Sequence, residues 1–295
     1  MLYTSIFLLL TYFILAHSDI SLYYAFYGFS LWYSKMIPTL LPFMILSGII
    51  IRMNLTGKVT ALVHPLFKRI YQCNENVTYA IATGFLFGFP MGAKTAADLY
   101  TEKKITKQEG EFLLGFCNNL GPVYFISYVL PLLGITNYAP YLFCMYGLPL
   151  LYGILLRFTI YKDKITHKNF SADSSAIKVS LLDATDSSVH SGIENILSLC
   201  GYMILFNLLN ILPHFLTPHI HMYLSPLLEI SGGLHMLGNK NPLYSLVLTS
   251  LGGLSCLVQT YSVIRHTSFS LKKYVLHKLF LTTLTILYYL LLFEF

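Results

Sequence analysis

A short run of glycine, proline and lysine interrupts one of the most apolar parts of the chain. The run extends from Gly84 to Thr95 and contains three glycines, Pro90 and Lys94. The apolar arm before its turn, residues 77–89, has 13 residues, which is about 20 Å of helix. Since the hydrocarbon core of a bilayer is about 30 Å thick, this arm is too short to cross it. The arm after the turn is shorter still, so we predict a re-entrant helical hairpin over residues 77–101.

The turn of this hairpin is a candidate binding site. Irregular backbone is tolerated at membrane depth only where protein or a water-filled cavity surrounds it. Helix ends at such a turn direct backbone amides, and here also the Lys94 charge, towards an anionic or polar group. The candidate substrate-binding residues at and after the turn are Gly88, Pro90, Gly92, Lys94, Thr95 and Asp98.

Two further patterns occur in this stretch, one typical of a phosphate-binding loop and one typical of an ion pair. Residues 88–95 resemble a phosphate-binding loop, G-x4-G-K-[ST], but Ala93 replaces the second glycine and apolar arms flank the run on both sides. The strand that such a loop requires is therefore missing. Lys94 and Asp98 are four residues apart and can pair on one helix face. The pair is either a substrate or ion contact or an interfacial ion pair near Glu102, and the sequence favours neither.

The composition identifies the class of protein. Hydrophobic residues make up 55% of the 295 residues and charged residues only 11%, whereas soluble domains carry about 25% charged residues. We therefore predict an all-α polytopic membrane protein, with the lipid bilayer as its main partner. The net charge of +6 comes from short basic clusters, which are typical of the ends of membrane helices. Nucleic acid is not an expected partner.

The polarity along the chain predicts four regions. Residues 1–36 hold a first membrane helix and an aromatic-rich helix expected to lie at the membrane interface. Residues 161–192 form the longest polar stretch and are expected to be an exposed connector. This connector separates two apolar halves, residues 37–160 and residues 193–295.

A second interruption lies in residues 109–133, which are otherwise long enough to span a membrane. The middle of this segment contains Asn118 and Asn119, followed by Gly121 and Pro122. Proline and glycine weaken a helix, and adjacent asparagines inside a span are costly unless they face partners or water. The pattern predicts a discontinuous helix of the kind that forms binding sites in transporters. The asparagines either line a cavity or connect helices by hydrogen bonds.

The two halves share a pattern that indicates an internal, inverted repeat. With an offset of 165 residues, Thr95 corresponds to Thr260, Lys94 to Gln259 and Asn118 to Thr283. The correspondence predicts a second short-armed hairpin centred on residues 252–260. It adds the candidate site residues Ser255, Gln259, Thr260 and Thr283.

No other residue pattern predicts catalysis, a metal site or a cofactor. His214, His219 and His221 lack a carboxylate or cysteine at a spacing that would complete a metal site, so we expect them to be solvated or interfacial. Glu229 is expected at the membrane interface, with a position lining the cavity as the alternative. No Ser/His/Asp set and no paired carboxylates occur at a useful spacing, and we do not expect an enzyme.

Three segments together resemble a known family. Residues 40–47 (LLPFMILS), 88–94 (GFPMGAK) and 116–122 (FCNNLGP) are similar to the sporulation integral membrane protein YlbJ family. This family belongs to the nucleoside-recognition or gate-domain group, which is related to parts of nucleoside and ferrous-iron transporters. The resemblance extends from residue 37 to the C-terminus and is best between residues 38 and 125.

The resemblance implies a multi-pass protein of a bacterial cell membrane with two gate-like repeats, required for sporulation. One hypothesis is that it transports or senses a small polar solute at the hairpin tips and the broken helix. The alternative is a non-transporting assembly protein of the sporulation machinery. Its partners would then be further copies of the chain or other sporulation membrane proteins.

Overall fold

The computed structural model describes residues 2–165 and 180–293, which are helical without any β-strand. Short π-helical turns lie at Trp32–Met36, Phe125–Val129 and Phe143–Gly147. In chain order the helices are α1 (Leu2–Ala16), α2 (Ser18–Arg52), α3 (Thr56–Thr60), α4 (His64–Tyr71), α5 (Glu75–Phe87), α6 (Met91–Thr101), α7 (Lys107–Leu114), α8 (Pro122–Leu132), α9 (Ala139–Phe158), α10 (Leu181–Leu208), α11 (Ile211–His214), α12 (Pro218–Leu228), α13 (Ile230–Leu237), α14 (Pro242–Leu251), α15 (Gly253–Ile264) and α16 (Leu271–Phe293).

Several helical segments are long and apolar enough to cross a membrane. In the described residues there are five: Ser18–Arg52, Ala139–Phe158, Leu181–His214, Pro242–Ile264 and Leu271–Leu292. Many of their large apolar side chains are exposed on the outside of the molecule, while serine, threonine and asparagine side chains are buried inside. This distribution suits a lipid environment. The prediction of an all-α, multi-pass membrane protein is confirmed.

Polar side chains fix where several helices begin. The Asn74 side chain accepts a hydrogen bond from Val77 N at the start of α5. Thr106 and Glu109 form a reciprocal capping box at the start of α7. Such caps satisfy the amide groups that the first helical turn leaves without intrahelical partners. They fix the starts of α5 and α7.

The predicted boundary between residues 1–36 and 37–160 does not separate two helices. One helix, α2, runs from Ser18 to Arg52 and contains a π-helical turn at Trp32–Met36. Its aromatic residues point both inwards and outwards: Tyr24 and Trp32 are buried, whereas Tyr23 is exposed. The mixed spacing therefore arises because α2 packs along α10, and the prediction of a separate interfacial helix is wrong.

The predicted connector, residues 161–192, is also too long. Residues 166–179 lie outside the described residues. Helix α10 already begins at Leu181, where Ser180 caps it by accepting a hydrogen bond from Asp183 N. Its first turns are polar but pack on the first half of the protein; for example, Ser188 accepts a hydrogen bond from the Arg52 guanidinium. Polar composition alone cannot distinguish a loop from a helix with such partners.

The first interrupted segment folds back on itself. Helices α5 and α6 pack against each other, and residues 88–90 form the turn between them, with a cis peptide bond before Pro90. Helices α5 and α6 therefore form a helical hairpin over the predicted residues. The predicted discontinuous helix is also present, since α7 ends at Leu114 and α8 begins at Pro122.

The second predicted hairpin, centred on residues 252–260, is not a hairpin of the same kind. Helices α14 and α15 are separated at Gly252 and Gly253, which both have positive φ angles. Their main packing partners differ: α14 lies along α16, while α15 packs mainly on α10, α6 and α12. The glycines thus bend the chain between two packing environments, and α14 and α15 do not run along each other as α5 and α6 do.

The loops that follow α6 and α15 lie at the same end of the molecule. The Tyr100 and Ser268 hydroxyl oxygens are 2.7 Å apart, and the Tyr100 and Phe269 ring centroids are 4.9 Å apart. Lys273 donates to Glu111 at 2.6 Å. An inverted repeat would place corresponding loops on opposite sides of the membrane. The prediction of an inverted repeat is therefore wrong.

Candidate functional site

The turn of the α5–α6 hairpin lies directly against the interruption between α7 and α8. Gly88 has a φ of 73° and approaches Gly121 so closely that a Cβ on Gly88 would lie 2.2 Å from the Gly121 backbone. Phe89 N donates a hydrogen bond to the backbone carbonyl of Asn119 at 2.6 Å. A backbone hydrogen bond therefore joins the two predicted interruptions and pairs one amide and one carbonyl group that lie outside the helices.

Asn118 connects three separate parts of the chain. Its side-chain oxygen accepts a hydrogen bond from Ala93 N at 3.3 Å, in the first turn of α6. Its amide nitrogen donates to Thr260 Oγ1 at 3.0 Å and to the Tyr274 hydroxyl at 3.1 Å. The side chain is buried. In this conformation Asn118 connects helices, which is one of the two roles that the sequence left open.

Asn119 lies beside Lys278, which is not among the predicted site residues. Lys278 on α16 donates from Nζ to Asn119 Oδ1 at 3.2 Å and to the Ser250 carbonyl oxygen at 3.3 Å. Its side chain is only 6% exposed. No carboxylate in the described part of the chain forms an ion pair with it. We call Asn118, Asn119, Thr260, Tyr274 and Lys278 the asparagine junction.

Lys94, by contrast, has a counter-ion. Its Nζ lies 2.9 and 2.8 Å from the two carboxylate oxygens of Asp98 and 3.1 Å from Ser191 Oγ on α10. The predicted pair therefore forms, but the lysine side chain is only 3% exposed. This burial differs from the solvated ion pair expected at an interface. The Lys94 charge connects α6 to α10 and is already compensated within the protein.

Gln259 and Pro90 line the same small cavity. Asn195, Ser198 and Ser262 supply further polar groups to its wall, and its volume is about 10 Å³, which suffices for about one water molecule. Gln259 Nε2 donates to Ser255 Oγ at 2.6 Å. The structure therefore brings the first hairpin turn and the matching segment of α15 together, as the site prediction requires, but in a closed arrangement.

The remaining predicted site residues divide into buried and exposed positions. Gly92 is in close contact with the chain break, because a Cβ there would lie 2.3 Å from the Cys117 carbonyl oxygen. Thr95 is fully buried and accepts a hydrogen bond from Thr83 Oγ1 at 3.2 Å. Thr283, however, is exposed on the outside of α16, so its predicted place in the site is wrong.

A small error in register explains Thr283. Successive residues in a helix are rotated by about 100°, so a position derived from an offset between weakly similar segments easily falls on the wrong face. The buried face of α16 instead carries Tyr274, Lys278 and Thr282. An ionisable residue inside an apolar span is a recognised marker of a functional position, and this signal would have identified Lys278 from the sequence.

Glu229 is not at the surface, contrary to expectation. It ends α12 and caps α13, where its carboxylate accepts hydrogen bonds from Ser231 N at 3.1 Å and Gly232 N at 2.8 Å. Burial raises the pKa of this carboxyl above its ordinary value, although the two amides oppose that rise. The prediction failed because a Gly-rich segment after a carboxylate resembles a loop, whereas here it is a helix start.

Two of the three histidines surround one tyrosine. Tyr24 OH lies 3.0 Å from His214 Nδ1 and 3.1 Å from His221 Nε2. Within residues 2–165 and 180–293, no three His, Cys, Asp or Glu side chains are arranged to hold a metal ion. These histidines connect α2 to α11 and α12.

One curated protein shows significant similarity to part of this chain. Over 129 residues, the chain is 33% identical to the sporulation integral membrane protein YlbJ of Bacillus subtilis. The match covers 44% of the chain and 32% of that protein's length. The similarity is therefore partial. No family model and no solved structure matches the chain.

Proposed function

We propose that this membrane protein belongs to the YlbJ type and binds a small polar solute at the asparagine junction, either to transport or to sense it, in support of sporulation. The partial similarity to a sporulation membrane protein supports the biological setting. The meeting of two interrupted helical segments in the protein interior supports the site. The proposal assigns no enzymatic activity to the chain.

The observation that carries the proposal is the buried ammonium group of Lys278. A charged residue inside a membrane protein is costly unless a counter-ion or water compensates it. The two hydrogen-bond acceptors of Lys278 are neutral oxygens, which offset only part of the desolvation cost of a charge. A solute with an anionic group would supply the missing counter-charge.

The closed geometry indicates which parts must separate for the solute to enter. Asn118 connects the start of α6 to Thr260 on α15, and the cavity beside them holds about one water molecule. We propose that movement of α6 away from α15 breaks the Asn118–Thr260 hydrogen bond. The exposed amide and hydroxyl groups would then bind the polar part of the solute.

The same closed geometry favours a second candidate function. The Asn118 side chain is satisfied by protein groups, and the nearby cavity is too small for an organic solute. A protein that is permanently closed would serve as an assembly component. Its partners would be a second copy of the chain or other sporulation membrane proteins.

The test is uptake and binding by the Lys278→Ala and Asn118→Ala variants, with Lys272→Ala as a control at an exposed position on α16. The proteins are reconstituted into vesicles with a panel of nucleosides, amino acids and carboxylic acids. We expect both site variants to reach the membrane and lose solute binding, while the control keeps it. Normal uptake and binding in both site variants would refute the proposed site. Co-purification with another membrane protein, without any solute bound, would support the second candidate.

A further inference from the structure

A groove of about 460 Å³ with an apolar wall and several charged side chains lies away from the asparagine junction, between α7, the end of α9 and α16. Its lining includes Lys107, Glu111, Ile160, Lys164, Lys273 and Leu276. The groove belongs neither to the proposed solute site nor to the network of hydrogen bonds around it. It therefore calls for a separate explanation.

The groove lies where membrane-spanning segments end. One candidate span finishes at Phe158, two residues before Ile160, and another begins at Leu271, two residues before Lys273. Residues within the first turns at the end of a span lie near the head-group region of the bilayer. The occupant of such a groove is therefore most simply a lipid.

The charges in the groove favour an anionic head group. Lys107 and Lys164 are exposed and form no ion pair with the described carboxylates. Lys273 is paired with Glu111 at 2.6 Å. Three ammonium groups and one carboxylate leave an excess of positive charge. Basic clusters at the ends of spans attract anionic phospholipids in this way.

Glu111 adds a requirement for a hydrogen-bond donor. Its side chain is only 3% exposed. One carboxylate oxygen, Oε2, accepts from Lys273, but Oε1 is buried without a hydrogen-bond partner. An unsatisfied buried acceptor costs free energy. A ligand in the groove that donates an O–H group would remove this cost.

Apolar surface continues from the groove along the outer side of the protein. Ile160 and Leu276 are 53% and 56% exposed, and Leu155 and Phe280 extend the apolar surface along α9 and α16. These two helices pack against each other, with the Tyr152 and Phe280 rings stacked at 4.9 Å. The surface below the groove is therefore suited to acyl chains.

We propose that the groove binds phosphatidylglycerol, a lipid with an anionic phosphodiester and a hydroxylated head group. The phosphate accepts hydrogen bonds from Lys107 and Lys164. The Glu111 carboxylate turns towards the groove and accepts a hydrogen bond from a glycerol hydroxyl, and the acyl chains lie along α9 and α16. This inference is independent of the solute site.

The test compares lipid retention by the full-length protein and two charge-matched variants. Lys107→Gln/Lys164→Gln removes the groove lysines, and Lys58→Gln/Lys68→Gln removes two exposed lysines elsewhere. The proteins are exchanged into micelles containing phosphatidylglycerol or phosphatidylcholine, and bound lipid is counted by native mass spectrometry. We expect the groove variant to retain phosphatidylglycerol on the order of twentyfold more weakly, and the control to match the wild type.

A third variant and further ligands test the source of the binding. Glu111→Gln should reduce the preference for phosphatidylglycerol over phosphatidic acid, which lacks the glycerol hydroxyls. Equal retention of phosphatidylcholine, a stronger preference for phosphatidylethanolamine, or an equal loss in the control variant would each overturn the proposal. Equally tight binding of soluble glycerophosphoglycerol would also overturn it, because the acyl chains would then be irrelevant.

Discussion

At the scale of single residues, two buried lysines have opposite relations to their surroundings. Lys94 lies 2.8 Å from an Asp98 oxygen, whereas Lys278 contacts only neutral oxygens. A buried lysine with its own counter-ion already has its charge compensated. Lys278 is therefore the better candidate for a ligand contact, although the sequence pattern predicts Lys94 as the site residue.

The ion pair gives a stability prediction. Asp98→Asn removes the counter-ion of Lys94, which is 3% exposed, and should destabilise the protein by about 2 kcal/mol, because an uncompensated charge stays buried. Replacing both residues, as in Lys94→Met/Asp98→Leu, should recover most of that loss. Thermal unfolding in detergent measures both effects.

The chain contains a matched control for this pair. Asp186 and His190 are also four residues apart, but their side chains are 76% and 79% exposed. Asp186→Asn should leave the unfolding temperature unchanged, because exposed ion pairs contribute little. An unchanged unfolding temperature for Asp98→Asn would show that the pair is not buried as described.

At the scale of helices, the sequence predicted where a helix is interrupted better than it predicted the direction of the next helix. The turn at residues 88–90 and the interruption between Leu114 and Pro122 are where glycine and proline placed them. At Gly252, the same signals produced a bend between helices whose main packing partners differ. Glycine and proline determine where a helix stops, but only the packing partners determine where the next helix goes.

Other errors at this scale have related physical causes. Trp32 is buried against α10 and Tyr24 against α11 and α12, while Tyr23 faces outwards, so their combined pattern resembled an interfacial helix. Thr283 was misplaced because one residue of offset rotates a side chain to another face. The position of Lys278 inside an apolar span marked it as a candidate, whereas the burial of Glu229 depended on a helix start that the sequence pattern did not predict.

The contact between the two breaks gives a prediction about the hairpin. Gly88→Ala would combine a positive φ of 73° with a Cβ 2.2 Å from the backbone of Gly121. Because the obstacle is backbone, it cannot rotate away, and we expect destabilisation of about 3 kcal/mol. The control is Gly201→Ala, since a Cβ there meets nothing within 4 Å. Equal unfolding temperatures for the two variants would show that the hairpin turn does not meet the α7–α8 break.

At the scale of the whole molecule, many polar side chains are buried among the apolar core, while large apolar side chains also cover the outside. Buried groups such as Asn118, Asn119 and Thr260 join elements that are distant in the chain. In a membrane, polar groups of this kind hold helices together because lipid offers them no alternative partner. The polar interior is thus both the structural centre and the candidate site.

The arrangement of loops gives a topology prediction. The loops after α6 and α15 meet through Tyr100 and Ser268, so both must lie on one side of the membrane. Single cysteines at Lys103 and Lys272, in a chain whose five native cysteines are replaced, should react with an impermeant thiol reagent from the same side. Labelling from opposite sides would restore the inverted repeat and contradict the fold.

The most direct test of the central claim is ligand-induced stabilisation of Lys278→Gln beside Lys272→Gln. The first variant removes the buried charge of the asparagine junction, and the second removes an exposed charge on the same helix. Thermal unfolding in detergent is measured against the panel of nucleosides, amino acids and carboxylic acids. We expect a solute that stabilises the wild type and Lys272→Gln to bind Lys278→Gln at least about tenfold more weakly, because a charge-assisted hydrogen bond is lost. Equal stabilisation of both variants, or no stabilisation of the wild type by any panel member, would contradict the account.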